Sequence, residues 1–246
     1  MPEPELHQLD NPLNAVLRAC VLLIVGLTAA PRSAAADCVI LLHGLARGPN
    51  AMIRLELGLE EAGYDVVNQD YPSTENNVMA LAAGALPAAI SACPDAVPVH
   101  VVTHSMGGIL LRAYVKTSEF PRLGRAVMIA PPNRGSEIVD KFQDWEIFDW
   151  INGPAGRELA TGPEALPARL GPVPFDLGVI AGDATINPYF SEIIPGADDG
   201  VVSVDSTRID GMNDHIILPA SHTFITMHGK TLRQVISFLR HGKFHR

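Results

Sequence analysis

Thr103-His104-Ser105-Met106-Gly107-Gly108 is the stretch of this chain best suited to covalent chemistry. The Val99-His100-Val101-Val102 run before it has the β-branched character of a buried strand, and Ile109-Leu110-Leu111-Arg112 after it opens a helix. A serine on so tight a strand-to-helix turn is pushed out beyond the carboxyl edge of a sheet. The helix N-terminus supplies unpaired N–H groups and positive partial charge close to the serine oxygen. Small neighbours let the backbone turn sharply and let strand and helix pack closely. Such a serine can attack an acyl carbonyl if a base takes its proton. The same pattern also suits a structural turn with an incidental serine, so Ser105 needs partners.

Candidate bases are the early His43 and the late His215, His222, His228, His241 and His245. His241 and His245 belong to a basic C-terminal stretch, residues 240–246, that reads as a frayed tail. Candidate acids follow the apolar run 177–181: Asp183, and the pair Asp198-Asp199. Residue types alone leave the choice among these open.

The elements that must position these groups alternate. Residues 39–43, 64–68, 98–103, 125–130, 176–181 and 215–218 read as strands. Residues 51–62, 76–92, 107–117 and 226–239 read as helices, with Gly63 as a stop for the first and Pro87 as a kink in the second. That alternation predicts an α/β fold with a mostly parallel sheet of about six strands, covered by helices on both faces. Residues 131–175 break the rhythm. Residues 137–151 have helical spacing and hold both tryptophans of the chain. Drawn as one helix, they put Ile138, Phe142, Trp145 and Phe148 on one face and leave Ile147, Trp150 and Ile151 off it. Residues 152–174 are rich in Gly and Pro and predict a loop. An insertion of this size in a compact domain is usually functional or disordered.

Four stretches carry a resemblance. Val39-Ile40-Leu41-Leu42-His43-Gly44-Leu45, His104-Ser105-Met106-Gly107-Gly108, Pro132-Asn133-Arg134-Gly135-Ser136-Glu137 and Asp199-Gly200-Val201-Val202 together resemble the bacterial lipase/esterase branch of the α/β-hydrolase family, in that family's order. One departure is Thr103, where the family usually has Gly; a β-branched residue there implies a locally adjusted elbow. The resemblance implies Ser105 as nucleophile and His222 as base, in the loop Pro219-Ala220-Ser221-His222 after the last strand. It implies Asp199, 23 residues earlier, as the acid that holds His222. Asp198, displaced by one, should point elsewhere, and His43 should brace its loop. The backbone N–H groups of Leu45 and Met106 are implied as the oxyanion hole, where preorganised donors stabilise the developing alkoxide by ~3–4 kcal/mol each. Relatives carry a lid or acyl-binding cap where residues 131–175 stand, which implies Phe142, Trp145 and Phe148 as substrate-facing.

Composition bounds the rest. With 246 residues, 47% apolar and 18% charged, one sizeable α/β domain is expected and extensive disorder is excluded. Acidic residues outnumber basic ones, 27 to 18, and no basic stretch suggests nucleic-acid binding. Residues 19–30 form an apolar run too short to span a bilayer; Arg18 precedes it and Ala34-Ala35-Ala36 follows. Residues 1–36 thus read as a secretory signal peptide cleaved after Ala36, although the leader before Arg18 is long and carries Glu3, Glu5 and Asp10. The catalytic domain is then residues 37–246, secreted or periplasmic. Cys38 and Cys93 would remain, each just before a strand. If those strands are parallel neighbours, both lie at one end of the sheet and a disulfide can form. Some relatives bind structural calcium, but no ligand set maps onto this chain, so no metal and no cofactor are expected. The whole reads as a carboxylic-ester hydrolase acting on small-molecule or lipid esters, with transient lipid contact through the lid. A thioesterase or acyltransferase would use the same three residues; a binding protein without activity would have no need of them.

Overall fold

The computed structural model describes residues 36–246. The expected signal peptide, apart from its final alanine, lies outside the described residues. Six strands form one sheet: β1 (Cys38–Leu42), β2 (Asp65–Gln69), β3 (Val99–His104), β4 (Leu123–Ile129), β5 (Leu177–Gly182) and β6 (Asp214–Leu218). All neighbours are parallel, in the order β2-β1-β3-β4-β5-β6.

The helices cover both faces, as parallel sheets require. Val39 and Leu41 of β1 face one apolar cluster, while Cys38, Ile40 and Leu42 face the other; all five are fully buried. The first cluster is closed by α1 (Ile53–Glu61), whose Leu55 and Leu59 are one helical turn apart, and by the C-terminal helix. The second is closed by α2 (Val78–Ala92) and α3 (Met106–Thr117). Pro87 sits within α2. Cys93 caps the C-terminus of α2 and is disulfide-bonded to Cys38, with Cα atoms 5.8 Å apart.

The insertion after β4 differs from its sequence pattern. The single helix expected over 137–151 is two: α4 (Glu137–Phe142) and α5 (Glu146–Arg157). Trp145, between them, is extended at φ −86°, ψ 130°, which ends one helix and redirects the next. The loop expected over 152–174 is largely ordered. Helix α5 is kinked at Gly153, which is non-helical at φ 61°, ψ −168°, and resumes to Arg157; α6 (Leu166–Leu170) follows. Gly153 is required twice over: its φ is left-handed, and a Cβ would lie 1.7 Å from the Thr74 carbonyl oxygen. Arg112 of α3 pins the same stretch, donating to the carbonyls of Asn133, Pro167 and Gly171 at 3.0, 2.6 and 3.0 Å. Burial lowers that guanidinium to about 10.

A short α7 (Pro188–Ser191) lies between β5 and β6, and α8 (Gly229–His241) closes the chain. The tail expected to fray is anchored. Gly242 ends α8 in a left-handed conformation, and buried Phe244 packs on Phe238 with ring centroids 5.1 Å apart. Asp214 Oδ2 accepts the Phe244 N–H at 2.8 Å. Among the described residues no helix is long and apolar enough to cross a membrane.

Candidate active site

The strand order sets the location. From β1 the chain moves outward to β2, then crosses back to β3 on the other side of β1. Loops leaving the carboxyl ends of β1 and β3 therefore diverge and open a crevice, the usual place for a ligand in such sheets. Leu42 is in register with Thr103, so Gly44 of the β1 loop comes beside Ser105. A Cβ on Gly44 would lie 3.1 Å from that of Ser105.

Ser105 stands between β3 and α3 at φ 52°, ψ −125°. A serine in this region costs of the order of 1–3 kcal/mol, a strain that surrounding structure must hold. Its N–H donates to the Ile129 carbonyl at 2.9 Å, and its own carbonyl accepts from Gly108 N–H at 3.0 Å. Gly107 makes the turn possible, since a Cβ there would meet the Leu42 and His43 carbonyl oxygens at 2.7 and 2.8 Å. Thr103 does not obstruct it. Its side chain is buried beside Gly108, with Oγ1 unpartnered.

His222 follows β6, and its Nε2 accepts from the Ser105 hydroxyl at 3.0 Å. Its Nδ1–H donates to Asp199 Oδ2 at 2.7 Å, and its backbone N–H donates to the Asp199 carbonyl at 2.9 Å. The other oxygen of Asp199 accepts from the N–H groups of Val201 and Val202 at 3.0 and 2.8 Å. The carboxylate is thus fixed by its own turn before it meets the imidazole. All three residues are buried. Asp198 points elsewhere, accepting from Ser191 Oγ and Gly200 N–H, both at 2.7 Å. Asp183 is exposed. His215 lies in β6 against Thr207, held down to about 4 by burial, and His228 precedes α8.

Two backbone N–H groups next to Ser105 and Gly44 have no acceptor among the described residues. They belong to Met106, the first residue of α3, and to Leu45, which follows Gly44. His43 braces this loop. It stacks on Tyr71 at 4.1 Å, and its carbonyl accepts from the Tyr71 hydroxyl at 2.5 Å.

A cavity of about 600 Å³ opens above Ser105 and His222. Its walls are mostly apolar and come from α4 and α5: Ile138, Phe142, Trp145, Ile147, Phe148 and Ile151. Phe142, Trp145 and Phe148 are all there, Phe142 meeting Trp145 edge-on at 4.9 Å. Because the helix breaks before Glu146, Ile147 and Ile151 also reach the cavity, while Trp150 points away and is 85% exposed. Tyr189 and Phe190 complete the wall from a segment with no legible pattern. Among the described residues no group of three His, Cys, Asp or Glu is placed to hold a metal ion.

His104 was not singled out by its residue type. It is buried, its Nε2–H donates to the His222 carbonyl at 3.0 Å, and its Nδ1 has no partner. Burial first, and then the nearby His222, hold its pKa well below 6.5, so the ring is neutral. A histidine closing a strand buried along its whole length is the signal that could have marked it.

This fold and the serine elbow define an α/β hydrolase, and the chain belongs to the alpha/beta hydrolase family, whose model matches residues 39–227. No curated protein matches it in sequence. The mature form of a Bacillus licheniformis lipase superposes with a TM-score of 0.61 at 19% identity, over 85% of this chain and 92% of that one. A metagenomic carboxyl esterase gives 0.59 at 19% identity, over 80% and 69%. Aspergillus fumigatus lipase B gives 0.60 at 14%, over 84% and 53%. At such identities the likeness is one of fold.

Proposed function

We propose that this chain hydrolyses carboxylic esters of apolar acyl chains through an acyl-enzyme. The observation that carries this reading is the unbroken hydrogen-bond chain Asp199–His222–Ser105 on the floor of an apolar cavity. Ser105 Oγ attacks the acyl carbon as its proton passes to His222 Nε2. The carbonyl oxygen takes up the negative charge, facing the N–H groups of Leu45 and Met106. Collapse expels the alcohol, which takes the proton from His222 and leaves an acyl ester on Ser105. Water then attacks that ester, giving its proton to His222. The second collapse returns this proton to Ser105 and frees the acid. Asp199 keeps His222 in the tautomer that accepts at Nε2 and stabilises the imidazolium.

The segment α4–α5 is the lid in this reading. Trp145, Ile147 and Ile151 line the cavity yet are half exposed, which suits a rim that meets lipid transiently. The protein is exported. The Cys38–Cys93 bond supports this, because such bonds persist outside reducing compartments. Cleavage after Ala36 would leave β1, which starts at Cys38, complete.

A panel of p-nitrophenyl esters from two to sixteen carbons tests the function. Wild type should cleave them, with a preference set by the cavity, and Ser105→Ala should lose nearly all kcat while melting normally. Turnover by Ser105→Ala at the wild-type rate would overturn the reading. Faster transfer to an added alcohol or thiol than to water would make the protein an acyltransferase.

A further inference from the structure

The cavity above Ser105 carries one fixed charge. Of its lining residues Arg47 is the only Lys, Arg, Asp or Glu. Arg47 lies two residues past Leu45, with Ala46 between them in the left-handed region at φ 51°, and both flanking side chains reach the cavity. Its guanidinium makes one hydrogen bond among the described residues, a long one of 3.4 Å to Thr223 Oγ1. No carboxylate of the described residues pairs with it. A guanidinium has five donors in a fixed fork, so most of this one's capacity faces the cavity mouth and solvent.

Its position relative to the chemistry matters more than its charge. Thr223 directly follows His222, so the Arg47–Thr223 contact ties the cation to the loop that carries the imidazole. In the proposed reaction that imidazole returns its proton to the departing alcohol. The leaving oxygen must therefore sit at His222 Nε2, and whatever the alcohol carries lies on the His222–Thr223 side. That arrangement leaves the apolar wall of Ile138, Phe142 and Phe148 for the acyl chain.

We propose that Arg47 selects esters whose leaving alcohol bears a phosphate or carboxylate. Resting on the ester-hydrolase reading, this extends it to the substrate class: an apolar acyl group on an anionic alcohol. An oxyanion at the guanidinium forms a charge-assisted, and where geometry allows bidentate, hydrogen bond. Arg47 is exposed, so its contribution should be modest and sensitive to salt.

The test uses 1-octanoylglycerol and 1-octanoylglycerol 3-phosphate with the full chain, both below micelle-forming concentrations. Wild type should favour the phosphate ester in kcat/KM by about tenfold, the scale of one charge-assisted hydrogen bond. Arg47→Gln should bring the ratio near one, Arg47→Lys should keep part of it, and 0.5 M salt should shrink it in wild type. A third ester, the glycerol monoester of octanedioic acid, carries its charge at the acyl end and should gain nothing. A wild-type ratio near one, a ratio unmoved by Arg47→Gln, or an equal gain from the acyl-end carboxylate would overturn this inference and leave the ester-hydrolase reading standing. Failure to cleave any of the three, or p-nitrophenyl esters, would overturn both.

Discussion

His104 and His222 are joined through the main chain rather than ring to ring: the buried Nε2–H of His104 donates to the His222 carbonyl at 3.0 Å. The ring centroids are 4.9 Å apart. The residue before Ser105 thus holds the loop that carries His222. Neutrality is part of the arrangement. In the proposed reaction, a charge on His104 would oppose the imidazolium that forms on His222.

This makes His104 a positioning residue. His104→Phe fills the space but removes the donor, and should lower kcat about tenfold with KM little changed, the worth of one hydrogen bond. His104→Gln, whose amide can reach the same carbonyl, should recover most of kcat. If both variants lose kcat and melting temperature alike, the residue acts through packing alone.

The tryptophans can test the proposed lid. Trp145 is 55% exposed and Trp150 85% exposed, and the chain has no others. The stretch after Gly153 is pinned by Arg112 and by a Glu158 carboxylate accepting from Val78 N–H at 2.6 Å. Motion should therefore be confined to the segment from the break at residues 143–145 to the non-helical Gly153. Tryptophan emission should shift blue with micelles or a long-chain phosphonate, and much less with a short-chain one. Unchanged emission, together with simple saturation as a long ester passes its solubility limit, would mean a static wall.

Buried histidines make stability acid-sensitive. Burial holds His43, His104 and His215 below 6.5, His215 at about 4. An unfolded chain takes up protons near 6.5 that the native state refuses. Stability from these groups is thus fully present above pH 6.5 and is lost progressively as pH falls toward 4. Melting temperature, followed by circular dichroism, should be flat above about pH 7 and fall below it. His215→Gln should shallow that slope. A melting temperature that rises on acidification through this range would contradict the assignment.

The strands were legible in sequence because parallel strands buried on both faces read as continuous β-branched runs, as in β1 and β3. Ser105 was legible because its turn needs small residues at Gly107 and Gly108. Asp199 and His222 were chosen by resemblance; periodicity alone left five late histidines open. The break at residues 143–145 was not legible, since Phe142, Trp145 and Phe148 continue a helical period across it. Arg112 was hidden for a related reason. Its four acceptor atoms lie on three residues of the insertion, Asn133, Pro167 and Gly171, and no local pattern announces a contact of that range. The tail looked frayed because its anchors, Phe238 and Asp214, are distant or on another element.

The central claim is that His222, oriented by Asp199, activates Ser105. Reaction with an alkyl fluorophosphonate, followed by intact mass and peptide mapping, tests it most directly. Wild type should take up one adduct, on Ser105. Ser105→Ala should take up none, His222→Ala should react at least ~10²-fold more slowly, and Asp199→Asn should fall between. An adduct elsewhere, or labelling of Ser105 at the wild-type rate in His222→Ala, would contradict the account.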